Sequence, residues 1–134
     1  NKGGTVDLGG VKVTMVHAVH STSFGTENGP HVPGTECGFM IEADGHTIYV
    51  SGDTDVIADM KIFNDLHEPD IGILCAGGHF TMDMRRAAYA AKTFFNFKTV
   101  IPCHYKTFPI LEQSAEELAK ALPGVNVIEA DVME

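Results

Sequence analysis

His20, Asp53, His79 and His104 each follow a short apolar run, and imidazole and carboxylate are the side chains that suit zinc, iron or manganese. Two histidines and one carboxylate, with a position left for water, match catalytic zinc sites in ligand type. A strand end favours such a site, because a rigid sheet positions the ligand at an open edge that substrate can reach. The spacings are long-range, so ligand type alone does not prove convergence. His17 stands three residues before His20; on a continuing strand the two point to opposite faces, so one of them faces the site. Asp53 follows Gly52 and could instead cap the next helix. His31, His46 and His67 read as solvated, in loop, turn and helix-end contexts.

The elements that must position these residues alternate in type. Val11 to Val16 is a β-branched alternating run that leads into His17-Ala18-Val19-His20. Ser23 to Gly34 carries three glycines and two prolines, which predicts a loop long enough to have a functional role. Cys37–Glu42 and Thr47–Val50 read as a hairpin turned at Asp44-Gly45, and the second strand runs into Ser51-Gly52-Asp53-Thr54. Ile57, Met60, Phe63 and Leu66 recur at helical spacing and stop before Pro69. Asp70 to Cys75 reads as a strand ending at Gly77-Gly78-His79-Phe80. Met84, Ala87, Ala88, Ala91 and Phe94 or Phe95 mark a helix face. Lys98 to Ile101 is another strand, running into Pro102-Cys103-His104-Tyr105. Ser114 and Glu117 form a capping-box pair for a last helix with Ala115, Leu118, Ala119 and Leu122 on one face; Pro123-Gly124 stops it before a strand at Val125–Ile128. Strands alternating with helices predict a layered α/β domain spanning 1–134.

Composition narrows the function classes. The 134 residues suffice for one small domain, and 44% hydrophobic with 20% charged residues is the balance of a folded chain. A formal charge of −9 repels phosphate backbones, which disfavours nucleic acid but not a small anionic substrate beside a cation. No run approaches the roughly 18 apolar residues of a membrane span and no signal peptide is visible, so the reading is cytoplasmic with no membrane partner. Starting at Asn1 without a methionine, the chain reads as beginning inside a longer protein. Cys37, Cys75 and Cys103 match no zinc or redox spacing and read as reduced packing residues, Cys103 included despite its neighbour His104. Met82 and Met84 read as core or pocket wall.

Three blocks carry a resemblance: Gly52-Asp53-Thr54, Gly77-Gly78-His79-Phe80-Thr81-Met82, and Pro102-Cys103-His104-Tyr105-Lys106-Thr107-Phe108-Pro109. In this order they resemble a bacterial family of metal-dependent hydrolases in the metallo-β-lactamase superfamily. Relatives of that family include L-ascorbate-6-phosphate lactonase and N-acyl-phosphatidylethanolamine phospholipase D. The match runs from about Gly3 to Val127. It implies the C-terminal half of an αββα sandwich, with metal ligands His20, Asp53 (bridging two ions) and His104. His17 competes with His20 for the first ligand, and His79 and Tyr105 join Asp53 as catalytic candidates that orient substrate, stabilise charge or donate a proton. The cofactor implied is a pair of divalent ions, zinc first, with manganese or iron as alternatives. The reaction implied is hydrolysis of an ester, lactone or phosphoester in a small-molecule substrate.

The superfamily's N-terminal His-x-His-x-Asp-His block is absent from this sequence. The expected partner is therefore a complementary N-terminal half or a swapped protomer, with a homo-oligomer expected and the fragment alone inactive. A non-catalytic binding or assembly module on the same fold is the first alternative. A di-iron oxidoreductase is the second, disfavoured because those proteins usually add a flavin domain.

Overall fold

The computed structural model describes residues 1–130. In chain order the elements are β1 (Thr5–Asp7), β2 (Lys12–His17), β3 (Phe24–Thr26), β4 (Gly29–His31), β5 (Cys37–Ala43), β6 (His46–Val50), α1 (Asp59–His67), β7 (Ile71–Cys75), α2 (Met84–Phe94), β8 (Thr99–Cys103), α3 (Glu116–Ala121) and β9 (Asn126–Val127). The expected hairpin is β5–β6, with Asp44 and Gly45 both at positive φ in its turn. α2 starts at an Asp83 cap whose carboxylate accepts the Arg86 N–H at 2.7 Å. α1 stops in a left-handed Glu68 just before Pro69. No helix among the described residues is long and apolar enough to cross a membrane.

Seven strands form one sheet in the order β1-β2-β5-β6-β7-β8-β9, antiparallel from β1 to β6 and parallel from β6 to β9. The parallel half is built from strand–helix–strand units, which is the connection that parallel neighbours require. One core lies between the sheet and its helices: Val16, Met40, Tyr49, Leu74 and Val100 pack with Met60, Phe63, Met84, Ala87, Ala91, Leu118 and Leu122. Side chains of opposite parity form two rows on the other face. The register aligns Val13, Ile41, Ile48 and Ile71 in one row, and Met15, Phe39, Val50, Ile73 and Ile101 in the other. All nine are half-buried and none belongs to the core cluster.

Four expectations need correction. Residues 23–34 are not simply a loop: β3 and β4 pair as a small separate hairpin, with Phe24 opposite His31. The capping box does not close: the helix is capped at Ala115 rather than Ser114, and Ser114 Oγ accepts the Glu116 N–H instead of that of Glu117. Leu66 is 72% exposed and Ala119 is exposed, so α1 and α3 bury narrower faces than their periodicity suggests. Nor is His67 solvated; its side chain is 18% exposed, with Nδ1 3.7 Å from Glu42.

A candidate metal-binding edge

β2, β6, β7 and β8 all finish at the same end of the sheet, as the pairs His17–Cys37, Phe39–Val50 and Cys75–Cys103 require. The loops leaving those strands carry the predicted ligands. His20 Nε2 lies 3.8 Å from Asp53 Oδ2, and His104 Nε2 lies 3.6 Å from the same oxygen. Both separations exceed a hydrogen bond, so the two imidazoles converge on one carboxylate oxygen without consuming it. The side chains keep 27%, 45% and 29% exposure for His20, Asp53 and His104, so the arrangement is open on one side. Among the described residues, no group of three or more His, Cys, Asp or Glu side chains is arranged so as to hold a metal ion by itself. His17 turns away: its Nδ1 sits 3.0 Å from Asp59 Oδ2 in the first turn of α1.

The backbone around Asp53 explains its pose. Gly52 has φ +60, and a Cβ there would stand 2.3 Å from the Cys37 carbonyl oxygen, so β5 and this turn touch as only glycine permits. Two buried hydroxyls hold the turn from either side. Ser51 Oγ donates to the Gly52 carbonyl and accepts the Cys75 N–H, while Thr54 Oγ1 donates to the Asp55 carbonyl and accepts the Val19 N–H. The Val19 carbonyl in turn accepts the Asp55 N–H at 3.0 Å, tying the His20 loop to the Asp53 turn. Asp53 caps no helix, since α1 begins after Ala58. The sequence reading missed Ser51 and Thr54; their signal was a polar pair closing an apolar strand.

His104 is held by the neighbouring turn. A Cβ on Gly77 would stand 1.9 Å from the His104 carbonyl oxygen and 3.0 Å from its Nδ1. That Nδ1 is buried and has no hydrogen-bond partner among the described residues. His104 and Lys106 both adopt left-handed backbone, at φ 60 and 66, a strain that the surrounding contacts must support. Glu129, also missed, supplies one support: its carboxylate accepts bonds from the Tyr105 hydroxyl at 3.2 Å, from Lys106 Nζ and from the Ala115 N–H. The Lys106 bond holds the Glu129 carboxyl below the usual carboxylate range. Burial, then Glu129, pushes the Tyr105 phenol up, so it stays protonated.

Of the other predicted residues, His79 lies at φ 43 in an exposed turn with its ring edge-on to Phe80, centroids 4.5 Å apart. Cys103 faces Cys75 across the β7–β8 pair. Burial, with Cys75 and Asp53 adding to it, pushes the Cys103 thiol up to about 12, which keeps it a thiol. The Glu36 carboxyl is held below its usual range by its own backbone N–H, with that of His20 contributing against a small opposing effect of burial.

Residues 1–130 match the family described as beta-lactamase superfamily domain. Among curated proteins, the chain is 70% identical over 134 residues to a UPF0173 metal-dependent hydrolase of Dinoroseobacter shibae, and 67% identical to one of Paracoccus denitrificans. In each case it spans 58% of the relative's length. Among solved structures it resembles Igni18, a metallo hydrolase of the archaeon Ignicoccus hospitalis, with TM-score 0.79 and 29% identity. That match covers 98% of this chain and 56% of the other.

Proposed function

The chain belongs to the beta-lactamase superfamily domain family, and from that premise we propose that it supplies one half of a metal-dependent hydrolase acting on an ester, lactone or phosphoester. The observation that carries the reading is the convergence of His20 Nε2 and His104 Nε2 on a single Asp53 oxygen at 3.8 and 3.6 Å. Two imidazoles and one carboxylate, close but not bonded to one another, are donor types that suit a divalent cation. In this reading His20, Asp53 and His104 would be the residues of this chain that hold divalent metal. Bound there, zinc, or manganese or iron in its place, would supply Lewis acidity and a lowered pKa for coordinated water.

The rest of the chemistry falls to the chain. Gly52, Ser51 and Thr54 fix the backbone of the turn that presents Asp53 before any ligand arrives, which limits reorganisation during the reaction. The Nδ1 of His104 is buried with no hydrogen-bond partner among the described residues, so the bond that usually fixes a ligating imidazole's tautomer is not supplied by them. His79, exposed on its strained turn, would orient substrate or donate a proton in this reading. Tyr105 serves by position: its hydroxyl is bonded to Glu129 and so braces the His104 loop.

The remaining ligands would come from a complementary N-terminal half, in the same chain or a second protomer, packed on the two apolar rows. Those rows support this reading because soluble proteins rarely leave a contiguous apolar face of that extent in water. The test is Asp53→Ala in the whole protein. Bound metal by elemental analysis should fall, and turnover of ester, lactone and phosphoester panels should drop more than about 100-fold, with the circular dichroism unchanged. Undiminished turnover with metal still bound would refute the assignment.

A further inference from the structure

Three loops of the metal-binding edge meet on one residue. Thr54 is fully buried, and its hydroxyl accepts the Val19 N–H at 3.0 Å while donating to the Asp55 carbonyl at 2.8 Å. The Asp55 N–H returns a bond to the Val19 carbonyl at 3.0 Å, so three hydrogen bonds lock the two segments together. Val19 immediately precedes His20, and Thr54 immediately follows Asp53. A β-branched side chain has few χ1 rotamers open to it, so this hydroxyl is aimed before any ligand arrives.

The carbonyl of the same residue reaches the third loop. It accepts the Met82 N–H at 3.3 Å, and the Met82 carbonyl accepts the Gly78 N–H at 2.9 Å, which closes the turn that carries His79. The Cys75 thiol also donates to the Thr54 carbonyl, at 3.4 Å, and anchors the residue to the end of β7. Ser51, the other buried hydroxyl of this segment, works more locally: its bonds go to the Cys75 N–H and the adjacent Gly52 carbonyl, at the junction of β6 and β7. Thr54 therefore joins what Ser51 only steadies.

We propose that Thr54, beyond fixing its own turn, is a positioning residue that holds the His20 loop and the His79 turn in set relation to Asp53, so that the three loops shift together. The proposal rests on the metal-dependent hydrolase reading for its effect on metal affinity; the coupling itself follows from the hydrogen bonds. Losing the hydroxyl frees the Val19 N–H, and the His20 imidazole one residue on is then no longer set against the Asp53 oxygen. Metal sites lose about 10–100-fold in affinity when a support of this kind behind the ligands is removed.

The test compares Thr54→Val, close in shape but without the hydroxyl, and Thr54→Ser, which keeps it, in the whole protein. Zinc affinity, measured by chelator competition, should fall at least about 10-fold in Thr54→Val and stay within about 3-fold of the parent in Thr54→Ser. In the metal-free protein, amide hydrogen exchange at Val19 and Met82 should quicken together by about 10-fold in Thr54→Val. Asn126, bonded to the Lys98 carbonyl at the opposite end of the sheet, should keep its parental rate. Parental zinc affinity in Thr54→Val, or a loss that Thr54→Ser does not restore, overturns the positioning role. Faster exchange at Val19 alone overturns the coupling, and equal quickening at Asn126 reveals a general loss of stability and overturns both. If Asp53→Ala keeps the parental zinc affinity, the metal assignment fails, whereas the exchange pattern still decides for or against Thr54.

Discussion

Ile73 and Leu74 are neighbours on β7 and differ little in chemistry, yet they occupy opposite environments. Leu74 is fully buried beneath the helices, whereas Ile73 is half-buried in the row shared by Met15, Phe39, Val50 and Ile101. Through the centre of the sheet the same alternation holds, with Met40 and Tyr49 fully buried and Ile41 and Ile48 half-buried. A sheet that is apolar on both faces is built to be covered on both. One layer is supplied by α1, α2 and α3; the rows on the other face stay half-buried. The edge that carries His20, Asp53 and His104 is likewise open on one side.

Leu74→Ala should have the largest effect, about 2–5 kcal/mol lost by urea denaturation of the chain alone. Ile73→Ala in the same chain should cost about 1 kcal/mol or less, since part of its surface already meets water, and should rise toward the Leu74 value in the whole protein. Equal costs in the chain alone would break the contrast between the faces. Phe39→Lys with Ile48→Lys should reduce self-association of the isolated chain in sedimentation experiments and block pairing with a complementary half, leaving the helical signal intact.

The smallest effect is expected at the polar end of the sheet. The Asp70 carboxyl is held below the usual carboxylate range first by its hydrogen bond from His46, at 2.8 Å, with the Thr47 N–H adding and burial opposing. A depressed carboxyl contributes stability above its ordinary pKa and loses it as pH falls through the lowered value. Asp70→Asn should therefore cost about 1 kcal/mol near neutral pH, and the difference should vanish in acid. A cost that grew toward acid would show that the His46 pairing is not its source.

Much of the fold was legible because it is written in local pattern. The β5–β6 hairpin follows from Asp44-Gly45 between apolar runs, and α2 from its alanine spacing behind Asp83. The three blocks around Asp53, His79 and His104 were identifiable because a polar cluster ending an apolar strand is a local signal. Other features left no such local mark. The β3–β4 hairpin lacks a continuous apolar run, and the capping box fails because the last helix is capped at Ala115, one residue later than the pair implies.

By itself, then, the sequence determined β2, the order of strands and helices from β5 onward, and the residue types able to hold a cation. Tertiary structure alone decided that His20 rather than His17 faces Asp53, since both belong to one segment and only Asp59 on α1 draws His17 aside. It likewise decided which face of each strand is covered. Ile-Gly-Ile-Leu is apolar in both parities, so no pattern in the chain separates the sides; the helices do so by crossing on one of them.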